Sequence, residues 1–319
     1  LMGLCHFRSL IKFIPYTITT GFTSGIAVTI VIGQLKDFFG VTYPNGLKPI
    51  ETMEKLKAFA LGFSSFHVDA LIVGGVSLAI LIISPYIFKR IPGSLIAVII
   101  GILMVKFLPL HVSTIGNLYT ITNDLPSFHI PAVKFSIVKS AIPNAFTIAV
   151  LAAIESLLSC VVADGMINGK HRSDTELVAQ GLGNIASALF GGIPATGAIA
   201  RTAANIKNGG RTPIAGMVHS VTLVIVLVVL MPFAGMIPMP TIAAILFIVA
   251  YNMCQWRTFV HMLKTAPKSD IIVLIVTFIL TVVFDLVVAI EIGMVIACLL
   301  FIKRMSEETH VDSWIYVDD

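Results

Sequence analysis

Two ionisable side chains stand in stretches that otherwise read as membrane-embedded. Glu155 lies in Ala-Ala-Ile-Glu-Ser-Leu-Leu-Ser, inside the apolar run 144–162. An ionisable group at membrane depth costs roughly 2.5–3.5 kcal/mol on insertion scales, so it is expected to face a cavity or a partner. Such a carboxyl group can exchange a proton or hold a sodium ion. The plainer alternative is a protonated acid bonded to a neighbouring helix. Ser159 follows one helical turn later, which predicts its hydroxyl on the same face.

The second side chain is Arg201, in Phe190-Gly-Gly-Ile-Pro-Ala-Thr-Gly-Ala-Ile-Ala-Arg-Thr202. Gly191, Gly192, Pro194 and Gly197 cannot continue a regular helix. Backbone groups freed at membrane depth must be buried in protein or line a cavity, because lipid cannot satisfy them. The pattern predicts an extended stretch and then a half-helix that starts near Thr196 or Gly197. Unpaired N–H groups over Thr196, Gly197, Ala198, Ile199 and Ala200, with the positive end of the helix dipole, make an anion site. The dipole contributes about 0.3–2 kcal/mol. The Arg201 guanidinium adds charge-assisted contacts to an oxyanion. Its structural alternative is a permanent bridge to Glu155 or Asp164.

The remaining polar residues point to less. Asp164, Asn168, Lys170, His171 and Arg172 read as the end of one helix and its loop. Asn205, His219 and Asn252 fit packing between helices, and Asp285 and Glu291 flank an expected external turn. The chain has no HExxH, GxSxG, phosphate-loop or dinucleotide pattern, so an enzyme fits poorly, and no cofactor or metal is expected. Cys5, Cys160, Cys254 and Cys298 show no CxxC spacing and read as packing residues.

The elements that must position these groups are membrane helices. Of 319 residues, 57% are hydrophobic and 12% charged, with mean hydropathy +0.97. A soluble domain needs a larger polar share. Ten embedded segments are predicted near 12–35, 69–88, 93–108, 138–163, 176–190, 198–208, 213–233, 239–254, 269–286 and 287–303. The 36–68 connection suits an amphipathic surface helix, and 110–133 an irregular external loop. Thirteen of the 21 Lys and Arg fall on one side of this threading and seven on the other. The richer side is expected in the cytoplasm, together with both chain ends. A net charge of +4 spread over such loops is no nucleic-acid footprint.

The run Ala152-Ala-Ile-Glu-Ser-Leu-Leu-Ser-Cys-Val-Val-Ala-Asp-Gly165 closely resembles the sulfate permease family, also called solute carrier family 26. So does the run from Gly191 through Arg201 to Gly216, and so do Phe13-Ile-Pro-Tyr-Thr-Ile-Thr-Thr-Gly-Phe-Thr-Ser-Gly-Ile-Ala27 and Ala243-Ala-Ile-Leu-Phe-Ile-Val-Ala-Tyr-Asn-Met253. The resemblance implies an all-α polytopic fold of two inverted seven-helix repeats, split into core and gate, with a broken helix at 191–208. Residues 1–136 would hold gate helices five to seven and an external loop, 137–234 core helices eight to eleven, and 235–305 gate helices twelve to fourteen. Residues 306–319 would lead toward a cytoplasmic STAS domain. The first four helices and that domain would lie outside this chain, which by itself is not expected to transport.

The implied function is secondary transport of sulfate, bicarbonate, chloride or a dicarboxylate, coupled to H⁺ or Na⁺ or by exchange, with the core moving against the gate. Thr196 to Arg201 and Ser159 would bind the anion, and Glu155 would govern coupling. A homodimer in a bacterial inner membrane is implied as well. The alternatives are a nucleobase–proton symporter of the same fold and a non-transporting membrane scaffold or motor.

Overall fold

The computed structural model describes residues 2–5, 16–44, 47–88, 91–121, 124–131 and 134–284, with single positions at 292, 293, 295, 296 and 299. The predicted segment 287–303 therefore falls largely outside the described residues, as do the start of segment 12–35, Asp285, Glu291, Cys298 and residues 306–319. The described chain is helical, and its strand-like pairing is one isolated bridge between Thr114 and Pro238.

Bilayer thickness sets the length of the long helices, since about 20 residues at 1.5 Å each cross the hydrocarbon. The first, α1, is Tyr16–Phe39. Gly40, with φ +64°, turns the chain out of it. A helix forms within the 36–68 connection as α2, Thr52–Gly62, then come α3, Val68–Ile87, and α4, Gly93–Phe107. After the 110–133 connection come α5, Phe135–Ile167, α6, Ser173–Leu189, and the short α7, Ile199–Lys207. Helix α8, Ile214–Ile225, runs on through a π-helical turn, Val226–Leu230, to Ala234. Helix α9 is Met239–Cys254, and α10, Trp256–Thr265, is an amphipathic helix in a stretch expected to be a loop. Helix α11 is Lys268–Val283. Five of these stretches are long and apolar enough to span a membrane: α1, α3, α5, the α8 stretch, and α9 with α10.

The described residues divide into two units, 1–13 with 98–239, and 14–97 with 240–319. In the second unit α1 packs along α11, where Ile18 and Val273 are buried together. A second cluster there joins Phe38, Leu81, Ala97, Ala243 and Ala244. In the first unit α5 packs on α6 and on α7, with Ala153, Leu157 and Leu177 buried between α5 and α6. The 110–133 connection is irregular as expected, yet anchored: the His129 N–H donates to the Leu189 carbonyl at 2.9 Å, and Phe128 meets Phe190 edge to face.

Candidate functional site

Helix α6 stops in a way the sequence dictates. Gly191 takes φ +73°, a left-handed conformation that suits glycine. Its N–H donates to the Ala188 carbonyl at 3.2 Å and that of Gly192 to Ser187 at 2.8 Å, the paired bonds of a Schellman close. Pro194 then biases Ile193 toward extended backbone, and no regular structure forms over 192–198.

Neighbouring side chains satisfy the freed backbone. The Ala195 N–H donates to Asn184 Oδ1 at 2.7 Å, and its carbonyl accepts from Asn184 Nδ2 at 3.0 Å and from Gln180 Nε2. Ser187 donates to the Ile193 carbonyl at 3.0 Å. From the other side, Thr196 Oγ1 donates to the Ala152 carbonyl of α5 at 2.8 Å.

Helix α7 starts at Ile199, two to three residues later than the sequence predicts. Ala198 is still extended, at φ −91° and ψ 118°, and the Thr202 N–H makes the helix's opening bond to the Ala198 carbonyl at 3.0 Å. The reason for the delay is long-range: the Thr196 hydroxyl is held by a carbonyl 44 residues earlier. The amides of residues 199–201 thus lie ahead of the helical ladder. Thr196, Gly197 and Ala198 precede it outside regular structure.

Arg201 is the third residue of α7, and its side chain is exposed. Among the described residues it forms no ion pair with Glu155 or Asp164. Asp164 is engaged elsewhere: its Oδ2 accepts from the His171 N–H at 2.9 Å and meets His171 Nδ1 at 2.7 Å. His171 Nε2 in turn meets Ser173 Oγ at 3.0 Å, which organises the α5–α6 loop. The bridge that would make Arg201 merely structural is not formed.

Ser159 is 4% exposed and donates to Thr202 Oγ1 at 3.0 Å, which ties α5 to the first turn of α7. Gly197 packs over Ser156 and Ser159. Glu155 does not share that setting. Its side chain is exposed, whereas Ser159 is buried, so the expected common face is not a common environment. Glu176 was not anticipated: its Oε1 accepts from the buried Ser156 at 2.9 Å. The polar row Gln180, Asn184 and Ser187 was missed too. Its signal, a spacing of four and three within an apolar segment, is present in the sequence. No cluster of His, Cys, Asp and Glu suited to a metal occurs among the described residues.

The sequence profile of the sulfate permease family matches residues 1–277. The chain belongs to that family. YvdB of Bacillus subtilis, named for sulfate transport, is 40% identical over 98% of this chain and 58% of its own length. The bicarbonate transporter BicA of a Picosynechococcus species is 34% identical over 96% of this chain and 54% of its own length. The chain thus spans a little over half of these curated relatives. The solved transmembrane domain of a cyanobacterial BicA matches with TM-score 0.75 at 28% identity, over 93% of this chain and 72% of that one. Murine Slc26a9, an anion transporter captured inward-facing, matches in fold with TM-score 0.83 at 20% identity, over 95% of this chain and 50% of that one. This sulfate permease family member is an integral membrane protein, and these relatives are named as transporters, not enzymes.

Proposed function

We propose that the chain carries the anion-binding part of a secondary transporter that moves sulfate, bicarbonate or a related small anion. The observation that carries this reading is the start of α7, where amides ahead of the ladder and an unbridged guanidinium share one helix end. Dipole and amides alone contribute about 0.3–2 kcal/mol, too little to hold a hydrated anion. A charge-assisted hydrogen bond from Arg201 adds roughly 1.5–3 kcal/mol. Thr196, Gly197, Ala198, Ile199 and Ala200 would give the anion its backbone contacts. Ser159 would border the site through Thr202. The names of YvdB and BicA favour sulfate and bicarbonate over chloride or a dicarboxylate. The nucleobase alternative draws no support from the family match.

Glu155 would govern coupling to H⁺ or Na⁺. Its exposed carboxyl, one residue from the buried Ser156, suits a group that exchanges ions with a wet pathway. Residues 137–234 would form the moving core, and the gate would be built from the stretches on either side. Transport would then shift the α7 site from one face of the membrane to the other. We place the protein in a bacterial inner membrane as a homodimer, with its Lys- and Arg-rich loops in the cytoplasm.

The test uses the full-length transporter in liposomes, with radiolabelled sulfate and bicarbonate as probes. Arg201→Ala should raise KM about tenfold or more, the equivalent of one lost charge-assisted bond. Unchanged affinity for both anions would overturn the site. Glu155→Gln should alter the dependence of flux on pH or sodium. Flux that keeps both dependences would remove Glu155 from coupling.

A further inference from the structure

Gln180, Asn184 and Ser187 lie along one face of α6 at the helical repeat, and all three donate to the backbone of the unwound segment. In an antiparallel sheet, hydrogen-bonded partners exchange both N–H···O bonds. Asn184 offers Ala195 the same double pairing from one carboxamide, Oδ1 taking the N–H at 2.7 Å and Nδ2 meeting the carbonyl at 3.0 Å. Gln180 donates to that carbonyl as well. The α6 face thereby does the work of a neighbouring strand. Ala195 is three residues before the Ala198 cap, and between them Thr196 is fixed from the α5 side.

We propose that Asn184 and Gln180 are positioning residues for the anion. By pairing both backbone groups of Ala195 they set where α7 begins and where its free amides and Arg201 point, without touching the anion. The proposal rests on the α7 site described under Proposed function. Its physical basis is the lack of alternatives: a backbone group stripped of its partner inside a membrane protein moves until it finds another. Such a movement at Ala195 is passed along three residues to the helix start.

The pairing is unequal, and the inequality can be tested. The carbonyl of Ala195 has two donors, whereas its N–H has a single acceptor, Asn184 Oδ1. Gln180→Ala should therefore raise KM only about twofold, because Asn184 still holds the carbonyl. Asn184→Ala should raise KM about tenfold with turnover largely kept, as expected for lost binding geometry. Asn184→Asp restores the acceptor and should recover most of that loss. It should fail to do so when combined with Gln180→Ala, which leaves the carbonyl without either donor.

The experiment measures KM and turnover for sulfate and bicarbonate on the full-length transporter in liposomes, together with hydrogen exchange over residues 192–198. Faster exchange and raised KM in Asn184→Ala, both reversed by Asn184→Asp, support the proposal. Unchanged exchange in Asn184→Ala overturns the pairing and leaves the α7 site standing. Faster exchange with unchanged KM overturns the link between this pairing and the anion, whereas the α7 site itself stands or falls with Arg201→Ala. Recovery by Asn184→Asp that survives Gln180→Ala refutes the shared carbonyl.

Discussion

The two units are held together by different chemistry. In the unit of 14–97 and 240–319, helices meet through small residues at close range. A Cβ placed on Gly21 of α1 would lie 2.6 Å from the Leu274 carbonyl oxygen, and one on Gly25 would lie 2.6 Å from Thr281 Cβ. Such close approach is how membrane helices gain packing energy where apolar burial distinguishes little between lipid and protein. In the unit of 1–13 and 98–239, the helix glycines Gly165, Gly181, Gly183 and Gly216 have open space where a Cβ would stand, as Gly33 and Gly75 do in the other unit. That unit is tied instead by side chains that reach an irregular backbone: Asn184, Gln180, Ser187 and Thr196. The contrast separates a tightly packed frame from a stretch whose specificity lies in its hydrogen bonds. Substitutions in the first should cost stability, and substitutions in the second should cost function.

The largest effect is expected at the α1–α11 contact. Gly21→Val forces a side chain against a backbone oxygen that cannot rotate away, so the helices must separate. Overpacking costs typically about 1–3 kcal/mol, and the rigidity of this contact puts Gly21→Val at the upper end. Adding Gly25→Val should abolish a monodisperse protein in detergent. A Gly21→Val protein that melts with wild type would erase the contrast between the units.

A smaller loss is expected at Ser77 and Thr241, which are 1% and 0% exposed and share a 2.9 Å hydrogen bond within the packed unit. Ser77→Ala strands the Thr241 hydroxyl and should cost about 1–3 kcal/mol of stability. The double variant Ser77→Ala with Thr241→Val removes both groups and should recover most of it. If single and double variants unfold alike, the hydroxyl pair is not what fastens α3 to α9.

Thr196→Val tests the other half of the comparison. It deletes the bond to the Ala152 carbonyl, worth about 0.5–1.5 kcal/mol, and frees residue 196 to join α7. Anion affinity should fall severalfold while the melting temperature changes little. The reverse pattern would mean that the hydrogen-bonded unit is built for stability after all.

How much of this was legible in the sequence follows the same division. Bilayer thickness fixes helix length, so α1, α3, α4, α5, α9 and α11 could be read from apolar blocks to within a few residues. The break before α7 was equally plain, since Gly191, Gly192 and Pro194 act through local backbone sterics. Its end was not, because Thr196 answers to a carbonyl 44 residues away. Helix α10 went unread because it spans only ten residues and carries Arg257, His261 and Lys264; its Trp256 and Phe259 reveal an apolar face only once Phe259 meets Phe278 of α11. The Asn184 row escaped for a deeper reason. Its partner is irregular backbone, and periodicity can announce a face without saying that the face will meet a strand.

The smallest effect is the most discriminating. Gly181 lies within α6 beside a cavity of about 430 Å³ between α5 and α6, lined also by Ala152, Gln180, Asn184 and Pro194. A methyl group at 181 meets nothing within 4 Å. Gly181→Ala also removes the helix penalty of glycine, up to about 1 kcal/mol. The variant should therefore melt at or slightly above the wild-type temperature and keep its anion affinity, because the Asn184 carboxamide, three residues on, keeps its bonds to Ala195. The same change at Gly21 places its methyl 2.6 Å from a carbonyl oxygen and should be harmful, although both glycines sit inside helices. Opposite signs from one chemical change would show that Gly21 and Gly181 serve different ends: helix contact at the first, open space at the second.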